Sequence, residues 1–302
     1  MSFNPFRADP AIPERLARQD AEAVRVAALA ALTPGRIIPA AAVDRIVIAH
    51  GLAGPEDVMR HLVPAAARHA QPSISEFFVG TVGRDTAGDL ILGCNLEFPG
   101  THLAFTVHGE GFVMTRAFQL GRTITTLALG EAHPCAHCRQ YISEFAAVRD
   151  MVLIDPLGHR LTMADLYPWP FDPGYLGQTG AVPGAVNFPG LAPAQMMAPA
   201  LLAAGQCAWA PYSNCPGAIL LTLGDGTEIT GAGIESVSFN PTIQPVQSAV
   251  IALLAQGRTP RDISVATLGT VIGGSVDYSA STVEFLSVIA PQAVLGTIGW
   301  TL

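Results

Sequence analysis

A chain of 302 residues, half of them hydrophobic and 13% charged, has material for two ordinary domains and a large core. Its net charge of −8 and lack of a basic patch argue against a nucleic-acid partner. No apolar run reaches the roughly 18 residues of a membrane span, and the N-terminus carries no apolar secretory core, so a cytoplasmic protein with a small, neutral partner is expected.

In chain order, "PERLARQDAEAVRVAALAAL" has apolar residues at helical spacing, stopped by Thr33-Pro34-Gly35. "PEDVMRHLVPAAARHA" predicts a second helix with Pro55 in its first turn. "EFFVGTVGR" and "GDLILGCN" are β-type runs around the turn "RDTAG", which reads as a hairpin. "HGEGFVMTRAFQLG" predicts a helix stopping at Gly121, "TITTLALG" a strand, "CAHCRQYISEFAAV" a helix and "DMVLID" a strand. A Pro- and Gly-rich stretch follows, expected as an extended connector. The same order then repeats at an offset of about 140 residues, which suits duplication of a whole α/β domain rather than a solenoid. The expected divisions are an N-terminal helical region (1–54), a first domain (55–158), the connector (159–190) and a second copy (191–302).

The copies differ in polar residues. Glu97 falls on Glu235, but His108 and Glu110 fall on Pro245 and Gln247. Cys135 and Cys138 fall on small residues near Ser279 and Thr282. Residues lost while the apolar pattern persists are not needed to hold the fold.

Cys135 and Cys138, at i and i+3 in the first turn of a helix begun by Pro134, point the same way. The helix N-terminus favours thiolates there, which suits either a redox pair or half of a metal site. An odd count of five cysteines in a reducing compartment disfavours a disulfide framework. His108 opens the other helix after "LAFTV", with Glu110 in the same first turn, where both can reach a common centre. A structural zinc site would need a fourth ligand and would leave Glu110 without a task.

His108-x-Glu110 with Pro134-Cys135-x-x-Cys138 resembles the signature of the zinc nucleoside and nucleobase deaminases. "PCAHCRQ", "SISEFFVG" and "GCNLEF" are similar to the cytidine deaminases. "LYPWPFDPGYL", "APYSNCPGAILL" and "IESVSFNPTIQPVQSA" are similar to the two-domain, dimeric bacterial form of that family. The resemblance spans nearly the whole chain. It implies a duplicated three-layer αβα domain, a mixed sheet flanked by helices, whose second copy is degenerate. It implies one Zn²⁺ per chain on His108, Cys135 and Cys138, with Glu110 as proton shuttle. Asn95 and Glu97 would bind the ribose and Phe77 would pack on the nucleoside. Phe171 would cover the base in the neighbouring subunit, making a homodimer with sites completed in trans. The implied reaction is hydrolytic deamination of cytidine and deoxycytidine in pyrimidine salvage, with zinc-activated hydroxide attacking C4. The departures are Gly109 for the usual alanine, Ala136 for a glycine and Asp172 for the glycine after Phe171.

The rival enzyme reading is a zinc deaminase of another nucleobase or a nucleotide, and the rival of another class is a non-catalytic, zinc-containing nucleoside binder. Intact Glu110 stands against the latter. Cys94, Cys207 and Cys215 read as small core residues, and His133 and His137 as surface residues or residues behind the ligands. Arg139 either neutralises charge near the thiolates or pairs with a carboxylate.

Overall fold

Alanine-rich helices open the structure, a computed structural model that describes residues 6–130, 133–146 and 148–302; the first five residues of the expected N-terminal region lie outside the described residues. The helices are α1 (Ala11–Ala17), α2 (Ala21–Ala30) and α3 (Ala40–Ala49). Asp20 caps α2 by accepting from the Ala23 N–H at 3.0 Å. Between α2 and α3 lies β1 (Ile37–Ile38), which pairs antiparallel with Ile91 and Leu90. The N-terminal region is therefore not purely helical; it also supplies the edge of the first sheet. It is fastened to the next domain by Arg15, whose Nε and Nη2 donate to the buried Asp57 carboxylate at 3.0 and 2.8 Å, and by Gln19 at 2.8 Å. Burial alone would raise the Asp57 carboxyl, but these hydrogen bonds hold it below its ordinary value.

The first domain follows the expected order. It runs α4 (Pro55–Ala67), β2 (Gly80–Asp85), β3 (Leu90–Cys94), α5 (Gly109–Gln119), β4 (Ile124–Leu129), α6 (Ala136–Ile142) and β5 (Val152–Ile154). Pro55 stands in the first turn of α4, where its missing N–H leaves nothing unpaired. The segment expected to begin the connector instead forms β6 (Arg160–Thr162) and α7 (Met163–Leu166). Gly158, at φ +103°, turns the chain back after Asp155-Pro156-Leu157, and β6 pairs antiparallel with β5. A Thr162–Asp165 capping box then starts α7. Pro and Gly here mark a tight hairpin, and the irregular stretch begins only after it.

The sheet order is β1-β3-β2-β4-β5-β6, with β4 and β5 parallel and the remaining pairs antiparallel. Strand alternation makes three layers. Leu90, Leu92, Ala128 and Ile154 join the apolar cluster under α4, while Ile91, Leu127, Leu129 and Leu153 join the one under α5. After β7 (Ala192–Pro193) the second domain runs α8 (Pro199–Cys207), β8 (Ala218–Leu223), β9 (Glu228–Ala232), α9 (Pro245–Ala255), β10 (Ile263–Val271), α10 (Ser279–Ile289) and β11 (Val294–Thr301). Its order β7-β11-β10-β8-β9 repeats the first sheet's central pairings: β8 antiparallel to β9 and β10, β10 parallel to β11. The helix-to-sheet approach repeats too. A Cβ on Gly93 would lie 2.9 Å from the Gly109 oxygen, and one on Gly231 would lie 2.5 Å from the Pro245 oxygen. Only glycine lets α5 and α9 lie this close to their strands.

α5 and α9 are buried and pack against each other between the sheets. Gln119 Nε2 donates to the Ser248 oxygen at 2.6 Å, and one apolar cluster runs from Leu96, Phe105 and Phe112 into Val246, Val250 and Phe285. Glu144, fully buried, accepts from Trp209 Nε1 (2.7 Å), the Tyr212 hydroxyl (2.5 Å) and the Val237 N–H (2.7 Å). The domains are thus joined by apolar surface and by a satisfied polar network. No helix of the described residues is long and apolar enough to cross a membrane.

Candidate active site

Two helix N-termini meet at the site. His108 is the N-cap of α5, in extended conformation, and its side chain makes no capping bond. Its Nδ1 points instead at two sulfurs, 3.5 Å from Cys135 Sγ and 3.3 Å from Cys138 Sγ. Cys135 is the N-cap of α6, and its sulfur accepts from the Cys138 N–H at 3.4 Å. The start of α6 therefore presents both thiols from one helical turn, as the spacing predicted.

The electrostatics match a cation site. Hydrogen bonds from Cys138 and His108 bring the Cys135 thiol down to about 3, while donation to that thiolate, with burial, pushes the Cys138 thiol up. The Cys135 sulfur in turn raises the His108 imidazole. Cys135 is thus the readiest thiolate of the three, with Cys138 and His108 as its donors. That is the state expected of a soft-ligand trio whose countercharge would be a divalent ion, and two sulfurs and one imidazole fit zinc with a fourth position open. Glu110, in the first turn of α5 and only 5% exposed, sits beside the trio. Burial pushes its carboxyl up, as a group that must both accept and donate protons requires.

A pocket of about 330 Å³ leads to this point, lined by Phe77, Asn95, Glu97, Thr106, His108, Glu110 and Cys135, with Ser75, Val79 and His133. Among the described residues no Lys or Arg lines it. Seven of the eight site residues named from sequence are accounted for here: six line the pocket, and Cys138 completes the trio. Phe171 is the eighth. It does not line its own chain's pocket; its carbonyl accepts from Gln140 Nε2 at 2.6 Å and its ring lies 5.3 Å from Tyr175.

The polar groups are differently occupied than sequence suggested. Asn95 braces the pocket's rim: Oδ1 accepts from the Val79 N–H (2.9 Å) and Nδ2 donates to the Phe77 oxygen (2.8 Å). Glu97 accepts from the Ile74 N–H, the Ser75 N–H and Ser75 Oγ at 2.7, 2.8 and 2.5 Å. Burial would raise its carboxyl, but these bonds hold it low. Ser75 was not picked out from the sequence, since its role shows only when the turn brings it to Glu97. Arg139 takes neither expected role; it donates to the Pro134 and Leu166 oxygens (2.7 and 2.9 Å), tying the turn before Cys135 to α7.

Two departures have local causes. A methyl group on Gly109 would come 2.3 Å from Thr81 Oγ1, so the threonine fills the space an alanine would use. Asp172 is extended, φ −101°, so glycine is not required there; its Oδ1 accepts from the Gly174 N–H and starts the turn at Pro173.

The second domain shows which features the fold keeps without the chemistry. The structure shifts the pairing read from sequence. By position at the helix start, Gln244 stands where His108 does and Val246 where Glu110 does. Tyr278 precedes α10, with Ser279 and Thr282 in its first turn near the positions of Cys135 and Cys138. The loop before α9 is shorter than the one before α5, a difference hidden in an unaligned repeat. Tyr278 is large and buried at the start of α10, and no thiol stands in that turn. Glu235 repeats the Glu97 arrangement, accepting from the Tyr212 N–H, the Ser213 N–H and Ser213 Oγ. That carboxylate–serine clasp is thus a fold feature of both copies.

Comparison with known proteins agrees with this geometry. Residues 54–154 match a family model described as the cytidine and deoxycytidylate deaminase zinc-binding region, and residues 183–282 match a second model of that description. A cytidine deaminase of Shewanella frigidimarina is 32% identical over 240 residues, 78% of this chain and 80% of its own. One from Vibrio cholerae serotype O1 is 30% identical over 247 residues, 81% of this chain and 84% of its own. Among solved structures, a mutant cytidine deaminase from Mycobacterium tuberculosis covers 40% of this chain and 97% of its own, at 23% identity and a TM-score of 0.36.

Proposed function

Because the chain belongs to the cytidine and deoxycytidylate deaminase family, we propose that it is a zinc-dependent enzyme that hydrolyses cytidine, and deoxycytidine with it, to the uracil nucleoside and ammonia. The observation that carries this reading is the convergence of His108, Cys135 and Cys138 beside buried Glu110 at the end of a nucleoside-sized pocket. Zinc would be held by His108, Cys135 and Cys138 and would supply the Lewis acidity that makes water a nucleophile near neutral pH. Glu110 accepts a proton from that water and passes it to ring N3 as C4 is attacked. It then carries the second water proton to the 4-amino nitrogen, which leaves as ammonia, so one water is consumed and the carboxylate is regenerated. Phe77, 58% exposed at the mouth, offers its face to the nucleoside. Glu97 and Asn95 orient the sugar with the capacity left beyond their own contacts.

Ultraviolet absorbance during incubation with cytidine, deoxycytidine, cytosine and cytidine monophosphate tests the substrate class. Turnover of the two nucleosides is expected to exceed that of the monophosphate, since among the described residues no Lys or Arg lines the pocket to pair with a phosphate. A preference for the monophosphate or the free base would overturn the assignment.

The pocket is completed, in this reading, by a second copy of the chain across a two-fold axis. Support comes from the exposed aromatic residues that face no partner site within the chain: Phe78 at 62%, Trp169 at 83%, Phe171 at 42% and Tyr175 at 58% exposure. Trp169 and Phe171 both touch Tyr175, and Phe171 is the ring assigned to cover the neighbour's base. Light scattering is expected to give about twice the 31.5 kDa chain mass. Phe171→Ala alone should be strongly impaired, and subunit exchange with an inactive Glu110→Gln chain should restore part of the activity. An active monomer, or no rescue in mixtures containing heterodimers, would remove the trans arrangement and leave the deaminase reading intact.

A further inference from the structure

A second group of ligand-type side chains converges outside the trio. His133 Nε2 and His159 Nδ1 both point at one oxygen, Asp155 Oδ2, at 3.1 and 2.7 Å, and all three ligand atoms lie within 4.8 Å of one another. We propose that His133, Asp155 and His159 form a second, exchangeable site for a first-row divalent cation of borderline softness, such as zinc or nickel.

The donor set selects the ion: two imidazoles and one carboxylate suit zinc or nickel, not magnesium or calcium, which want oxygen shells. The spacing is close to what such an ion needs. Donors at ~2.0–2.1 Å in a tetrahedral shell stand roughly 3.3 Å apart. The two contacts to Asp155 Oδ2 would open slightly, with the imidazole nitrogens already within 4.8 Å of each other.

The backbone holds the site ready. Asp155 and His159 face each other across the β5–β6 turn, where the His159 N–H donates to Asp155 Oδ1 at 2.9 Å. That bond occupies Oδ1 and leaves Oδ2 for the imidazoles, the division of labour typical of a ligating carboxylate. The turn is braced from outside by the Asp9 N–H on the Gly158 oxygen (2.9 Å), and Arg60 Nε holds the Asp155 main-chain oxygen at 3.0 Å. The carboxylate is 1% exposed, while the His133 and His159 side chains are 33% and 21% exposed. The carboxylate is thus buried with its two imidazole partners nearer the surface, open on the side from which an ion and its waters would enter.

This site differs in strength from the trio. It has one anionic ligand where the trio has two sulfurs, so its ion exchanges while the other is retained. One tightly held zinc per chain and one weaker site are therefore compatible. His133 also lines the catalytic pocket, so an ion there ties the pocket wall to the β5–β6 turn.

The competing account is a hydrogen-bonded prop for the segment before Cys135, with both imidazoles donating to Asp155 and no cation entering. Calorimetric titration of holoenzyme already carrying one zinc distinguishes the two. The parent protein is expected to take up one further Zn²⁺ or Ni²⁺ per chain and no Mg²⁺, and Ni²⁺ should raise its melting temperature by linkage. His159→Ala should weaken the second uptake by at least about tenfold and abolish that rise. His159→Gln, which can still donate to Asp155 but ligates poorly, should restore stability without restoring uptake. No uptake beyond the first zinc in the parent overturns the proposal, and so does uptake of parent strength in either variant.

Discussion

Glu110→Gln is expected to keep one zinc per chain and lower kcat by about 10²–10⁴-fold, the usual worth of a positioned general acid–base. The substitution is close to isosteric at a position 5% exposed in the first turn of α5. It removes no sulfur and no imidazole, so the ligand trio stays whole. It removes the ability to carry a proton. Burial holds the native carboxyl above its ordinary range, which places its exchange nearer to working pH; an amide has no such exchange. The fold should not suffer, because a buried neutral amide is less costly to desolvate than a carboxylate. Equilibrium unfolding and metal analysis would therefore match the parent while single-turnover kinetics collapse. A variant within about tenfold of the parent rate would show that the proton travels by another group.

The parts of the site legible in sequence were the local ones. His108 and Glu110 share one helix turn, and Cys135 and Cys138 share another, so their spacing already encodes a common direction. The duplicated sheet was legible because it repeats an apolar pattern, which β2-β4-β5 and β8-β10-β11 bear out. What escaped was set by tertiary closure. The Ser75–Glu97 clasp joins residues across a turn, and the Asp155–His159 pair depends on Gly158 folding β6 back where Pro and Gly suggested an open connector. Arg139 looked like a charge partner because it is an arginine beside thiolates. Its donors are spent on main-chain oxygens whose proximity no sequence spacing announces. The second domain's counterpart of His108 escaped for a different reason: the loop before α9 is shorter than the one before α5, which displaces the pairing by a residue.

Cys135→Ser separates metal binding from folding, because serine preserves what the cysteine does for the helix. Cys135 is the N-cap of α6 and its sulfur accepts from the Cys138 N–H. Serine is among the best N-caps, so the helix start, the Arg139 tie to the Pro134 oxygen and the pocket wall should all survive. Zinc affinity should not survive. The thiol that the site brings down to about 3 is the trio's most ready thiolate, and a hydroxyl cannot ionise near neutral pH to replace it. Loss of one direct ligand should cost more than the 10–100-fold that an outer contact costs, so a fall of at least ~100-fold in zinc affinity is expected. Competition with a chromophoric chelator measures that fall. Activity should drop in parallel and return in part when zinc is supplied in excess, while the far-ultraviolet circular dichroism stays at the parent level. Zinc retained at parent affinity would mean that Cys135 is a cap and no ligand. Metal loss accompanied by loss of helical signal would mean that the ion holds the α6 turn together.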